Sequence, residues 1–189
     1  MRLTRRHFIA SGVALAATPT AVLGHAGVPH QSRATMAARD VEIRDDVDVD
    51  TIHVFPSYFC IYHVRAPGRA REYHVAVGDD GRNLSGTTTI RHKEEWPSWT
   101  PTQNMINREP ELYAQYADGV PGGPDNPLGA RALYLYRNGR DTMYRIHGTP
   151  QPWTVGQAVS SGCIRLTNDD MIDLYPHVSL GTDVISYQS

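Results

Sequence analysis

The chain has little of what marks a membrane, nucleic-acid or disulfide-framework protein. Its 189 residues include two cysteines, three tryptophans and three phenylalanines. Two cysteines cannot build the dense bridging of small secreted domains, so a packed core has to carry the fold, and a chain this long can bury one. The apolar run from Phe8 to Ala17 falls short of the roughly 20 residues a bilayer-spanning helix needs. Positive charge is also scarce: 18 Lys and Arg against 20 Asp and Glu give a formal net charge of −2. A phosphate-backbone binder carries a basic stripe, and none is visible, which excludes nucleic acid as a partner. What is plentiful is turn chemistry. With 16 Gly and 13 Pro, many short strands are favoured over a helical bundle.

The N-terminus has its own pattern. "MRLTRRHFIASGVALAATPTAVLGHAG" has a charged start, an apolar stretch and then small residues, the three-part layout of a secretory signal. Arg5-Arg6 followed by Phe8 and Ile9 resembles the twin-arginine export signal of bacteria. The alternative, an uncut membrane anchor, is disfavoured by length. The expected organisation is a signal peptide at 1–26, a polar linker or N-terminal extension at 27–49, and the compact domain at 50–189. Loss of the signal would remove Arg2, Arg5 and Arg6 and no acid, leaving fifteen basic residues against twenty acidic and a charge near −5. In the extension, "RDVEIRDDVDVD" reads either as a linker or as ending in an edge strand with protective charge.

Strand signals follow. "TIHVF" alternates. "YFCIYHV" is apolar on both sides, which suits a strand buried on both faces and puts Cys60 inside it. "AREYHVAVG" alternates again, and "APGR" between these runs predicts a hairpin. "GTTTIRHK" is a further strand. From Glu94 to Gly129 periodicity stops in a Pro- and Gly-rich stretch with four bulky aromatics, Trp96, Trp99, Tyr113 and Tyr116. Long loops inside a domain are usually functional, so this segment is expected to be a structured flap, with a short helix near Gln103 to Arg108. "RALYLYRNGRDTMYRIHG" is the clearest hairpin, because Asn138-Gly139 is the favoured type I′ pair. That turn predicts cross-strand partners whose numbers sum to 277. Ala132, Tyr134 and Tyr136 then share a face with Met143, Arg145 and His147. "TNDDMIDLYP" opens like a capped helix from Thr167, and "DVISY" closes the chain as a strand.

The chemistry lies in "RIHGTPQPWTVGQAVSSGCIRL", which puts His147 and Cys163 16 positions apart. A free thiol is a few per cent thiolate at pH 7, and a neighbouring imidazole raises its reactive fraction. A strand, a loop and a return can bring the two together. Gly148 gives the backbone room to turn, and the carbonyl after the histidine can hold its tautomer. The amides of Ser161, Gly162 and Cys163, free of bulky neighbours, are candidates for an oxyanion site. Arg165 can point the same way as Cys163 and bind a carboxylate in bidentate fashion.

"IHGTP" and "SSGCIRL" together resemble the signature of the L,D-transpeptidase catalytic domain, a histidine followed by Ser-x-Gly-Cys-x-Arg or Asn. "YHVAVG", "WPSWTPT", "NPLGARALYLY" and "NDDMIDLY" resemble that family in the same order, from about Asp50 to Tyr187. A departure is Ser161, where many members have histidine. The resemblance implies a mostly β fold, a mixed sheet sandwich or barrel with one or two short helices and a long flap loop. It implies a cysteine transpeptidase acting on peptidoglycan stem peptides in the periplasm or cell envelope, reached by the twin-arginine route. Membrane contact is expected only during export, and no cofactor or metal. Cys163 is then the nucleophile, attacking the carbonyl between the third stem residue and terminal D-alanine. His147 is its base, Gly148 its orienter, Arg165 a substrate contact. Tyr134 and the flap tryptophans line the cleft. The acceptor is a second stem peptide, giving a 3→3 cross-link, or an amine of an envelope protein. Water as acceptor would make the enzyme an L,D-carboxypeptidase. A Cys60–Cys163 disulfide would block the nucleophile, so both are expected as thiols. A non-catalytic wall-binding module would lack Cys or His. A metal site from His53, His63, His74, His147 and Cys163 matches no known ligand spacing.

Overall fold

Alternating apolar residues make this chain a sheet. In the computed structural model, which describes residues 4–9, 36–79 and 81–188, eleven strands form. They are β1 (Arg39–Glu42), β2 (Ile52–Phe55), β3 (Cys60–Ala66), β4 (Arg69–His74), β5 (Val77–Gly78), β6 (Gly86–Glu95), β7 (Arg131–Arg137), β8 (Arg140–His147), β9 (Ala158–Ser160), β10 (Ile164–Arg165) and β11 (Asp183–Ser186). Nine of them form one sheet in the order β1-β4-β3-β2-β11-β6-β7-β8-β10, and β5 pairs with β9. β11 runs parallel to β2, and β10 parallel to β8, so the sheet is mixed. Of the signal-like stretch, Thr4–Ile9 is described; its apolar run beyond Ile9 and its cleavage region lie outside the described residues, as do residues 27–35.

"RDVEIRDDVDVD" contains an edge strand, but the strand opens the stretch, at Arg39–Glu42, whereas the strand reading of the sequence puts one at its end. β1 pairs antiparallel with β4 through Arg39 and Glu72, and its side chains are largely exposed. β3 is buried on both faces, as its sequence implies. Period-two alternation sends Ile61 into an inner cluster and Cys60, Tyr62 and Val64 into an outer one. The inner cluster gathers Ile52, Tyr73, Ile90, Leu133, Ile146 and Val184 from six strands and closes on Met171 and Leu174. Those two come from helix α4 (Asn168–Leu174), whose Thr167 hydroxyl accepts the Asp170 amide as an N-cap. Each such buried side chain contributes roughly 1.5–3 kcal/mol. The outer cluster is smaller: Ile43, Phe55, Cys60, Tyr62, Val64 and Ala70, with Phe8 over them. Phe8 belongs to a single helical turn, α1 (Arg5–Phe8).

The flap carries two short helices, α2 (Gln103–Arg108) and α3 (Pro110–Tyr113). Thr102 caps α2 by accepting the Met105 amide. Trp99 packs on Tyr113 and Tyr116 inside the flap. Among the described residues no helix is long and apolar enough to cross a membrane.

The β7–β8 hairpin departs from its predicted register. Asn138 and Gly139 both take positive φ, 51° and 75°, as a type I′ turn requires. Arg137 faces Arg140 and Tyr136 faces Asp141, with numbers summing to 277. Beyond them Tyr134 faces Arg145 and Ala132 faces His147, a shift of two. Side chains cause it. Thr142 Oγ1 donates to the Leu135 carbonyl, Asp141 Oδ1 accepts from the Met143 amide, and Met143 is forced to φ 64°. A shift of two preserves which face each residue takes, so Tyr134, Arg145 and His147 still share one.

Candidate active site

His147 ends β8 and Cys163 immediately precedes β10. In the parallel pairing of these strands Arg165 lies opposite His147. Cys163, just outside the strand, is two positions before Arg165, roughly 6.6 Å of extended chain short of the residue opposite the imidazole. The β8 bulge meets it there. The Cys163 Sγ lies 4.0 Å from the Met143 carbonyl, the residue with strained φ. Bulges commonly re-aim groups beside active sites.

The loop before Cys163 is held from within. Ser160 Oγ donates to the Cys163 carbonyl at 2.6 Å and accepts the Gly162 amide at 3.0 Å. Gly162 takes φ 131°, and a Cβ on it would collide with the Tyr144 ring. Only glycine satisfies both constraints. The loop also lies against β5, where a Cβ on Gly78 would come to 3.0 Å from Gly162 Cα. Because the Gly162 amide is taken by Ser160, the amides left as oxyanion candidates are those of Ser161 and Cys163. The Ser161 hydroxyl accepts a hydrogen bond from Arg108 Nη2 at 3.0 Å and lies 3.3 Å from the Tyr113 hydroxyl. Both partners are flap residues.

His147 is nearly sealed, 3% exposed. Its Nδ1 is 2.5 Å from the Gly148 carbonyl, which assigns the proton to Nδ1 and leaves Nε2 as the lone-pair nitrogen. Burial, then the charges of Arg165 and Arg145, pull its pKa down to about 3, while the Gly148 and Leu128 carbonyls oppose the shift. Burial pushes the Cys163 thiol above its usual range. The Arg145 amide and the guanidinium groups of Arg145 and Arg165 oppose that shift. At neutral pH the pair is a neutral imidazole and a neutral thiol, with two cations placed to favour the thiolate when the proton leaves.

Arg165 is partly exposed, and its Nε is buried without a hydrogen-bond partner. Such a donor awaits an acceptor. Tyr134 is engaged within the protein: its hydroxyl donates to Glu94 Oε2 at 2.7 Å, and the Arg145 guanidinium stacks 4.2 Å over its ring. Arg145 in turn forms a bidentate pair with Asp141, at 2.7 and 2.8 Å. Trp96 is 44% exposed at the base of the flap.

Three participants escape the sequence reading. Arg145 and Asp141 form the charged pair beside the thiol; alternation puts Arg145 on the right face, but nothing in the sequence pairs it. Asn168 is the third. Its Oδ1 accepts the Ala130 amide at 2.9 Å and fills the space where a Cβ on Gly148 or Gly129 would fall. So Gly148 is required by the Asn168 side chain as well as by the turn. The signal was present in "NDDM", but the partner across 20 residues was not.

A cavity of about 210 Å³ is lined by Arg44, Asp48, Thr51, His53 and Ile185, none of which belongs to the Cys163 site. Cys60 and Cys163 are both free thiols. The histidines weighed as metal ligands are dispersed: His53 bonds Tyr187 and Thr51, and His63 is a buried residue of β3. Among the described residues no three His, Cys, Asp or Glu cluster to hold a metal ion.

The family model for the L,D-transpeptidase catalytic domain matches residues 50–185, which spans both strands of the candidate pair and the flap. The chain belongs to the L,D-transpeptidase catalytic-domain family. Probable L,D-transpeptidase ErfK/SrfK of Escherichia coli is 36% identical over 139 residues, 72% of this chain and 37% of that protein. This L,D-transpeptidase domain therefore spans little more than a third of that relative. A solved structure from Brucella melitensis, described as a probable carnitine operon oxidoreductase, is 43% identical. It covers 82% of this chain and 93% of its own, with a TM-score of 0.56. An L,D-transpeptidase from Mycobacterium tuberculosis shares the fold at 17% identity and a TM-score of 0.52, covering 73% of this chain and 57% of its own. The mostly β, mixed-sheet architecture agrees with the fold of the Mycobacterium tuberculosis structure.

Proposed function

We propose that this chain is a cysteine-dependent peptidoglycan L,D-transpeptidase that works through a thioester on Cys163. The observation that carries the reading is the pairing of β8 with β10. It puts Arg165 opposite His147, with Cys163 two residues before Arg165, and His147 Nδ1 is committed to the Gly148 carbonyl; this supports Cys163 as nucleophile and His147 as base. The Sγ attacks the carbonyl joining the third residue of a stem tetrapeptide to its terminal D-alanine. The thiol proton passes to His147 Nε2 and then to the departing amine as the C–N bond breaks. The tetrahedral oxyanion falls to the Ser161 and Cys163 amides, each such donor contributing about 3–4 kcal/mol to the transition state. An incoming amine, from a second stem peptide or an envelope protein, then displaces the sulfur. Arg165, with its unpartnered Nε, takes a substrate carboxylate.

The oxidoreductase description of the Brucella relative has no counterpart in this site. A nicotinamide or flavin enzyme of the usual kind places a glycine-rich turn between a strand and a helix of a parallel sheet. Here the strand-to-loop junction presents a thiol and an imidazole. We place the protein in the periplasm or envelope, exported through its paired arginines, on the strength of the substrate and of the Arg5-Arg6 pattern.

Intact-mass analysis after incubation with a carbapenem tests the reading. One covalent adduct is expected on the wild-type chain and none on Cys163→Ala. An adduct that survives the substitution would falsify it. Purified muropeptides then separate the acceptors: a 3→3 dimer marks transfer to an amine, a tripeptide marks transfer to water.

A further inference from the structure

β3 is apolar on both sides, and something must cover its outer side. The cover comes from the first residues of the chain. Phe8 is 0% exposed and lies over the outer cluster, its ring 5.1 Å from Tyr62, 5.5 Å from Phe55 and 4.7 Å from His53. Its carbonyl accepts the Arg44 amide at 3.0 Å, and Ile9 makes a β-bridge to Ile43. Arg5 Nε donates to the Tyr62 hydroxyl at 2.7 Å, and its guanidinium lies 5.0 Å over the Tyr58 ring. Its Nη2 is 3.5 Å from Glu72 Oε2. Glu72 is 1% exposed, and that oxygen has no hydrogen-bond partner. A buried carboxylate needs a cation. Arg39, 3.0 Å from the other oxygen, is a largely exposed edge residue, so Arg5 is the cation that faces Oε2 from above.

We propose that the outer face of β2, β3 and β4 is a peptide-binding groove whose ligand is the chain's own segment Thr4–Ile9, anchored by Arg5 and Phe8. The recognition chemistry is an arginine and an aromatic residue three positions apart on one helical turn. The guanidinium enters a tyrosine-lined acidic notch, and the ring enters an aromatic floor. Arg6 and His7 face solvent. The folded domain thus holds one arginine of the pair and presents the other. A receptor that reads both guanidinium groups has to compete with the groove. The groove lies on the β2–β4 half of the sheet, whereas the Cys163 site lies at its β8–β10 edge.

Trypsin tests this on the full chain, because a protease must take the Arg5 side chain into its own acidic pocket to cut the Arg5–Arg6 bond. With intact-mass detection, cleavage there is expected at least about tenfold slower in the native chain than in Phe8→Ala, since proteolysis tracks the open population. Glu72→Gln keeps the shape of the notch, removes its charge and is expected to speed cleavage severalfold. It remains informative if Phe8→Ala does not fold. Arg5–Arg6 cleavage in the native chain as fast as in the free peptide Thr4–Ile9 overturns the proposal. So does protection that disappears on about hundredfold dilution, which would assign the groove's occupant to a second copy. None of these readouts involves Cys163, so the catalytic reading and this one fail separately.

Discussion

The two cysteines sit in opposite settings. Cys60 is wholly buried in β3, beneath Phe8, with its Sγ 3.6 Å from the Tyr62 hydroxyl, and burial pushes its thiol up to about 11. Cys163 occupies a loop end that is partly open, beside the guanidinium groups of Arg145 and Arg165. Burial raises both thiols. What separates them is what can happen next. At Cys163 the guanidinium groups of Arg145 and Arg165 favour the thiolate at a partly open loop end, whereas at Cys60 the Arg5 guanidinium also favours it but the thiol is sealed among Phe8, Tyr62 and the buried Glu72. Reactivity here follows from surroundings that ease loss of the proton and admit a substrate.

The sharpest way to break this contrast is to exchange roles. Cys163→Ala should remove acyl transfer altogether. Cys60→Ala should leave the carbapenem adduct intact and cost about 1–3 kcal/mol of stability through a small cavity, read by denaturant unfolding. His147→Gln should lower the acylation rate by about 10²–10⁴ while sparing the fold, measured by stopped-flow consumption of the carbapenem. Iodoacetamide should modify Cys163 in the folded chain with a rate that rises through the alkaline range. Cys60 should react only in denaturant, as peptide mapping would show; equal labelling of the two would erase the distinction.

A further effect concerns pH. Burial pulls His53 and His63 down to about 4 and His147 to about 3, against about 6.5 in the unfolded chain. Between those values the unfolded state binds more protons. Stability is therefore full above about pH 6.5 and falls as pH drops toward 4 and 3, by on the order of 3 kcal/mol for each histidine. Thermal unfolding from pH 7 to 4 should show the loss, and His63→Leu should flatten part of it. Smallest is Tyr134→Phe. It removes the bond to Glu94 but keeps the ring under Arg145, and should cost about 1 kcal/mol with little change in acylation.

Much of this was readable from residue order, for reasons that are local. Asn138-Gly139 fixes its turn by backbone preference alone, Thr167 caps its helix from within three residues, and the two-sided apolarity of β3 reports two-sided burial. The candidate nucleophile and base could be singled out because small residues crowd around both. What stayed hidden depends on encounters across the chain. The β8 bulge comes from ordinary bonds of Asp141 and Thr142, which every such residue can make and few do. Capture of the Gly162 amide by Ser160 removes a donor that the sequence left open. Asn168 filling the space beside Gly148, and Phe8 covering Cys60, require the folded sheet before they exist.

The contacts of Ser161 with Arg108 and Tyr113 have a kinetic corollary. Lifting the helical tip of the long insertion away from the sheet must rupture bonds to a hydroxyl two residues upstream of the sulfur. On the proposed reading, admission of a bulky substrate and alignment of the Cys163 sulfur are then mechanically linked, so that each opening event also loosens the turn that carries it.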